Sequence, residues 1–205
     1  MLSQHRNATP AGPEPSTGAH NAIDDDRILD AAYPLFLAVG PRRITMADVA
    51  RHTDVSRATL YRRWPNVRSL VAALVTREWS VLAAGAFDGR GQHGRARLVD
   101  AVVMIAAASR EHPLLRMIVE LDPEFLLPYL LERRGTSTDL QLSLLEQAIG
   151  EGIADGSVRS GDPAILAQAV LLTTTSFVLS GRAMTQHVDG LDRELGMLLD
   201  RYLAP

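Results

Sequence analysis

Apolar residues recur at intervals of three and four along most of this chain, a spacing that predicts amphipathic helices. The first such segment covers 27–39, where Gly40 and then Pro41 mark a helix end. Its apolar positions are Ile28, Ala32, Leu35, Phe36 and Val39. Further helices are predicted over 66–84, 95–110, 113–119, 123–133, 139–155, 163–181 and 191–203. No stretch alternates as a half-buried strand does, so we expect an all-α fold.

The segment 45–68 shows two short helices that follow each other closely and a third that starts at once. Thr45 and Asp48 have the spacing of a capping box, and Ser56 is placed to cap the second helix. Pro65 disfavours helical geometry at the residue before it, which ends the second helix, and Asn66 caps the third. Two capped helices joined by a few residues are typical of a helix-turn-helix.

The second of these helices has the composition of a DNA-recognition helix. Leu60 and Trp64 lie four apart and are expected to pack inward, whereas Arg57 and Tyr61 share the opposite face. The window 42–68 carries seven arginines and two aspartates, a net charge of +5, within a chain of −3, so the remainder carries −8. A basic window on an acidic protein predicts contact with phosphate. Charge alone would equally fit a solvated basic helix pair, but the caps and the buried face together favour DNA binding.

These motifs resemble the N-terminal domain of the TetR family of transcriptional regulators. The resemblance rests on ILDAAYPLFLAVG, ITMADVA, VSRATLYRRWPN and LVAAL, within about 24–78. It implies an N-terminal three-helix helix-turn-helix domain with a connecting helix, followed by a C-terminal helical domain for ligand binding and dimerisation. Three residues depart from the family pattern: Pro34 lies inside the first helix, Asp54 replaces the usual turn glycine, and Val67 replaces the usual phosphate-binding lysine.

The recognition helix and its surroundings give a specific set of expected DNA contacts. Arginine forms bidentate hydrogen bonds to guanine, and the N-terminal residues of a recognition helix face the major groove. We therefore expect Arg57 and Tyr61 to contact bases, and Thr59 to lie near a base edge or the backbone. The expected phosphate contacts are Thr45, Arg62, Arg63 and Arg68.

The domain organisation follows from composition. Residues 1–22 form a polar, proline- and glycine-containing segment and are predicted to be a disordered tail. Residues 23–84 are assigned to the DNA-binding domain with its connecting helix, and 85–205 to a helical effector-binding and dimerisation domain. The stretch 163–181 carries no charge, but its many hydroxyl and amide groups argue against a membrane helix. Together with 190–203, it resembles the family's dimerisation pair.

Catalytic and cofactor chemistry has no support in this sequence. The chain has no cysteine, its histidines are not paired at helical spacing, and no hydrolase or phosphate-loop motif occurs, so neither an enzyme nor a cofactor is predicted. A small-molecule pocket would be mostly apolar. Candidate pocket residues, each of which fits plain core packing equally well, are Met104, Met117, Phe125, Tyr129, Leu144 and Phe177.

Two functions remain open at this point. The first is a cytoplasmic, nucleoid-associated repressor that binds a palindromic operator in double-stranded DNA as a homodimer and is released by a small apolar molecule. The second is a helix-turn-helix protein without a small-molecule effector, either architectural or controlled by a protein. An all-α enzyme with an accidental helix-turn-helix is set aside, because one specific DNA motif stands against no catalytic motif.

Overall fold

A computed structural model of the chain describes residues 17–87, 94–185 and 187–205. These residues form helices and no strand, which confirms the all-α prediction. The helices are α1 (Thr17–Val39), α2 (Met46–Thr53), α3 (Arg57–Arg63), α4 (Val67–Phe87), α5 (Gly94–Glu111), α6 (Pro113–Leu121), α7 (Leu127–Leu131), α8 (Thr136–Ala154), α9 (Pro163–Met184) and α10 (Val188–Leu203). Two short 3-10 helices cover Pro41–Arg43 and Pro123–Phe125.

The predicted caps set the ends of α2 and α3. The Thr45 hydroxyl accepts a bond from the Asp48 amide at 3.2 Å, and the Asp48 carboxylate accepts one from the Thr45 amide at 3.0 Å, which confirms the capping box. Ser56 accepts from the Thr59 amide at 3.1 Å and starts α3. Asp54 ends α2 in the left-handed region at φ 54°, the conformation that the family's usual glycine adopts easily.

Helix α1 differs from its sequence prediction. It begins at Thr17, whereas the tail was expected to continue to residue 22; residues 1–16 of that tail lie outside the described residues. Adding turns to an existing helix costs far less than starting one, so a segment without an apolar period extends α1. Pro34 lies inside this helix without ending it. The predicted loop at 85–94 is shorter, because α4 continues to Phe87, and 88–93 lie outside the description.

The region 123–133 was predicted as one helix and is divided into two pieces. A 3-10 turn, Pro123–Phe125, precedes the five-residue helix α7, Leu127–Leu131. Pro128 has no amide hydrogen and fits only the first turn of a helix, so α7 begins beside it.

The buried side chains form two cores. The N-terminal core contains residues of α1 to α4 and also Leu114, Met117, Ile118 and Phe125 from the second half of the chain. The C-terminal core is built from α5, α8, α9 and α10, with Val158 between two of them. Segment 114–125 was expected in the effector domain, yet its side chains complete the core of the DNA-binding helices.

Helix α9 is the one described helix that is long and apolar enough to cross a membrane, by length and composition only. Its two faces are both apolar but differ in exposure. Leu166 and Val170 are buried in the C-terminal core, whereas Ile165 is 57% exposed and Leu172 is 73% exposed. Helix α9 therefore carries an exposed apolar face on the side opposite the C-terminal core.

Candidate DNA-binding surface and cavity

Helix α3 presents one face to the protein and the other to solvent. Leu60 is fully buried and Trp64 is 8% exposed, so both pack into the N-terminal core as predicted. Arg57 and Tyr61 lie on the opposite side and are exposed, Tyr61 by 54%. The two side chains expected to contact bases are therefore available on one surface.

The two threonines of the predicted site have their hydroxyls in local hydrogen bonds. Thr45 Oγ1 lies 2.7 Å from Asp48 Oδ2, and Thr59 Oγ1 lies 2.9 Å from Ser56 Oγ. Hydrogen bonds from the side chain and then the backbone of Thr45 lower the pKa of Asp48. A hydroxyl has two lone pairs and one hydrogen, so each threonine keeps some capacity for a DNA contact.

Arg62 and Arg63 point in different directions. Arg62 is exposed. The Arg63 side chain is only 12% exposed, and its Nε lies 2.8 Å from Asp25 Oδ1 of α1. The guanidinium of Arg63 therefore joins α3 to α1, and the phosphate contact expected of Arg63 would have to replace this ion pair. Arg62 and Arg63 are neighbours in the last turn of α3. The sequence does not indicate that Asp25, 38 positions before Arg63, pairs with one of them.

Arg68 is exposed on the first turn of α4, and its guanidinium carbon lies 5.3 Å from the centre of the Phe125 ring. This distance is within the range of a cation–π interaction. Val67, in the position of the family's usual lysine, packs against the N-terminal core. In the first turn of α4, Arg68 is therefore the exposed basic side chain, while Val67 packs inward.

One basic residue of this surface escaped the sequence prediction. Arg42, in the 3-10 helix before α2, has its Nε 3.0 Å from Asp122 Oδ1 and its Nη2 hydrogen-bonded to Glu124. The Glu124 carboxylate raises the pKa of Arg42, with a smaller contribution from Asp122. The partners are 80 and 82 positions away, so only the fold brings them together.

A second polar cluster lies where α1, α4 and α6 meet. Arg77 is 2.7 Å from both Asp30 and Glu78, and Glu78 is 3.3 Å from His112 Nε2. The His112 ring packs edge-on against Tyr33, whose pKa is raised by burial and then by the Glu78 charge. His112 is therefore packed against Tyr33 and partnered by Glu78.

A cavity of about 40 Å³ lies between α4, α5, α8 and α9. Its lining contains no charged side chain: Trp79, Val102, Ile105, Gln141, Leu144, Leu145, Leu171 and Thr174. The polar atoms come from Gln141, Thr174 and the Trp79 indole. The Thr174 hydroxyl donates to the Val170 carbonyl at 2.8 Å, so its lone pairs remain as acceptors.

Of the six candidate pocket residues, Leu144 alone lines this cavity. Met104 is 53% exposed, and Phe177 packs against the C-terminal core. Met117, Phe125 and Tyr129 belong to or pack against the N-terminal core. These five residues do not line this cavity, because helical spacing indicates which face is apolar but not which of two cores receives it.

In the described part of the chain, no group of three or more His, Asp or Glu side chains is placed to hold a metal ion.

A helix-turn-helix with an exposed basic recognition helix, carried by an all-helical chain, defines a DNA-binding transcriptional regulator. The family model described as "Bacterial regulatory proteins, tetR family" matches residues 28–74. An uncharacterized HTH-type transcriptional regulator of Mycobacterium tuberculosis is 36% identical over 181 residues, which cover 87% of this chain and 93% of that protein. A Mycobacterium bovis relative described in the same words matches equally well. The chain belongs to the TetR family of bacterial transcriptional regulators, and its relatives are regulators rather than enzymes.

Solved structures with the same fold are more distant in sequence. The transcriptional repressor QsdR of R. erythropolis superposes with a TM-score of 0.70 at 17% identity, covering 89% of this chain and 95% of QsdR. The repressor AlkX of a Dietzia strain, implicated in biodegradation of n-alkanes, gives a TM-score of 0.66 at 21% identity, covering 87% and 94%. At these identities the likeness establishes the fold.

Proposed function

We propose that this protein is a ligand-responsive repressor that acts in the cytoplasm on nucleoid DNA. It binds a palindromic operator as a homodimer and is released by a small apolar molecule. The carrying observation is the arrangement of α3, in which Leu60 and Trp64 fix the helix while Arg57 and Tyr61 are exposed side by side. This is the geometry with which a recognition helix enters the major groove.

Individual contacts follow from exposure. Arg57 and Tyr61 contact bases, and Thr59, partly buried and bonded to Ser56, contacts a base edge or the backbone. Thr45, Arg62 and Arg68 contact phosphate, since they surround α2 and α3 and are exposed. Arg63 is left out of this set because Asp25 occupies its guanidinium.

The DNA-binding proposal is tested by selecting bound fragments from a random duplex library and measuring affinities of single variants. Arg57→Ala is expected to lose about 1–3 kcal/mol and to relax the preference at one base position. Arg62→Ala is the matched control: it should weaken all sequences alike and flatten the salt dependence by about one unit. Equal affinity of the wild-type protein for selected and random duplexes would contradict operator recognition.

The dimer is proposed to form through α9 and α10. Both helices leave large apolar side chains in solvent, among them Leu172 at 73% and Leu198 at 51% exposed. Leu171, the neighbour of Leu172 on α9, lines the cavity. An isologous contact would bring the same two helices of each subunit together and set the distance between two recognition helices.

The interface is tested with a charge at Leu198. Leu198→Glu should produce monomers in sedimentation and lower operator affinity, because one dimer contacts both half-sites. Leu131→Glu, at a site 77% exposed on α7, is the matched control and should remain dimeric. Wild-type protein that sediments as a monomer at micromolar concentration would rule out the dimer.

The effector is proposed to occupy the cavity beside Trp79. Because no charged side chain lines it, a charged ligand would lose its hydration without compensation, so an uncharged, mainly apolar molecule fits. Polar groups of that ligand would meet Gln141 and Thr174. The described link of the AlkX repressor to n-alkane biodegradation is in keeping with this chemistry.

Coupling between the cavity and DNA is proposed to pass along α4. Trp79 of α4 lines the cavity, and Leu70 and Leu74 of the same helix are buried in the N-terminal core, which also contains Leu60 of α3. A tilt of this helix in each subunit would misplace one recognition helix relative to the other. Calorimetric titration of a ligand with and without operator tests this, since a ten-fold weakening in one direction requires the same factor in the other. Identical ligand affinities with and without operator would mean that the cavity does not control DNA release.

The size of the cavity favours a second candidate function. At about 40 Å³ it is well below the few hundred Å³ usual for ligand sites. A ligand would have to displace side chains of α5, α8 or α9 to enter. A helix-turn-helix protein without a small-molecule effector therefore remains the alternative. A panel of uncharged apolar compounds that leaves the melting temperature unchanged would favour this alternative.

A further inference from the structure

We propose that the acidic segment Asp122–Phe125 competes with DNA phosphate for Arg42, and so limits the affinity of this protein for any duplex. The inference rests on the proposed DNA-binding function of α2 and α3. Arg42 binds Asp122 and Glu124, and Arg68 stacks on Phe125. Both arginines belong to the basic window, yet their guanidinium groups are engaged by a segment of the second half of the chain.

Both arginines are close to the predicted phosphate contacts. Arg42 is three residues before Thr45, and a chain of three residues spans at most about 11 Å. Arg68 lies in the first turn of α4, directly after the recognition helix. Released from its carboxylate partners, Arg42 would be placed beside the DNA backbone, as Arg68 already is in the proposed complex.

The charges at Arg42 oppose DNA binding in the observed arrangement. One arginine faces two carboxylates, so Arg42, Asp122 and Glu124 together carry −1. Carboxylate and phosphate both bind guanidinium through charge-assisted hydrogen bonds, so a phosphate must replace a carboxylate to gain this contact. Within a Debye length of about 8 Å, the unpaired negative charge also repels the DNA backbone.

The segment is held in place and cannot simply move aside. The Asp122 amide donates to the Ile118 carbonyl at 2.9 Å, and the Asp122 carbonyl accepts from the Phe125 amide at 2.9 Å. Phe125 is 4% exposed in the N-terminal core. The Glu124 side chain, by contrast, is 68% exposed, and among the described residues its bond is to Arg42. Glu124 is therefore the residue to change, because its removal leaves the packing intact.

The test uses the full chain, a random 30-base-pair duplex and fluorescence anisotropy over a range of salt concentrations. Glu124→Gln is expected to bind about two- to five-fold more tightly, the range that corresponds to one exposed ion pair. The salt dependence should steepen by up to about one unit as Arg42 gains a phosphate. Glu120→Gln removes an equal charge four residues earlier, from a residue paired with Arg116, and should change little.

A double-mutant cycle separates competition from general repulsion. In the Arg42→Gln background, Glu124→Gln should have a clearly smaller effect, because only the repulsion of the DNA backbone is then relieved. An unchanged affinity for Glu124→Gln, or an equal gain with and without Arg42, would overturn the proposal. Asp122→Asn provides a second neutral variant if Glu124→Gln lowers the melting temperature. Wild-type protein that binds no duplex at low salt would instead contradict the proposed DNA-binding function itself.

Discussion

The N-terminal and C-terminal cores differ in which parts of the chain supply their residues. The C-terminal core joins α5 to α8, α9 and α10, all from the second half. The N-terminal core contains side chains of α1 to α4 and, in addition, four residues that follow α5 in the chain: Leu114, Met117, Ile118 and Phe125. The DNA-binding helices are thus completed by residues that follow the first helix of the other core. This arrangement gives the two regions a packed connection in addition to the covalent one through α4.

Removing a large side chain from each core offers the strongest test of this division. Phe125→Ala should cost about 3–5 kcal/mol of unfolding free energy, measured by urea denaturation. Although Phe125 follows α6, native-state hydrogen exchange should accelerate in α1 to α4. Ile149→Ala, in the C-terminal core, should cost about 2–5 kcal/mol and accelerate exchange in α8 to α10 instead. Equal acceleration along the whole chain in both variants would mean that the cores unfold as one unit.

The adjacent arginines of α3 test whether a side chain supports the core or the DNA surface. Arg63→Ala leaves Asp25 without this partner and should lower stability by about 1–3 kcal/mol in thermal or urea unfolding. Arg62→Ala should stay within about 0.5 kcal/mol of the wild type, as is usual for exposed positions. If Arg62→Ala proves the more destabilising of the two, the assignment of Arg63 to the interior is wrong.

The smallest expected effect concerns the cap of α2 and its dependence on pH. The pKa of Asp48 is lowered below its ordinary value of 3.8 by its bonds with Thr45. The stabilisation is therefore complete above about pH 4 and is lost as the pH falls through the lower pKa of the folded state. The melting temperatures of the wild type and Asp48→Asn should differ at pH 6 and converge on acidification to pH 2.5. A constant difference over that range would exclude this titration.

Local signals in the sequence were sufficient for the DNA-binding helices. The caps at Thr45, Ser56 and Asn66 act over three residues, so their hydrogen bonds follow from spacing alone. The inward placement of Leu60 and Trp64 follows from helical period in the same way. The start of α1 was missed because helix extension depends on the adjoining helix rather than on its own apolar pattern.

Contacts between distant segments could not be predicted. Arg63 and Arg62 are identical in type and adjacent, and the presence of Asp25 beside one of them is a property of the packed fold. The ion pair of Arg42 with Asp122 likewise depends on the packed fold. So does the position of Phe125, which was expected to line a ligand pocket and lies in the N-terminal core. A single sequence specifies the apolar face of each helix but not its neighbour.

The shared N-terminal core also bears on recombination between regulators. A chimera that joins residues 1–87 of this chain to a foreign effector domain would keep every residue of the helix-turn-helix. It would nevertheless lose the side chains of Leu114, Met117, Ile118 and Phe125, which belong to the N-terminal core. Natural or engineered exchange of the C-terminal domain should therefore succeed only where the incoming domain brings a compatible α6. In such an exchange, α6 has to be treated as part of the DNA-binding domain.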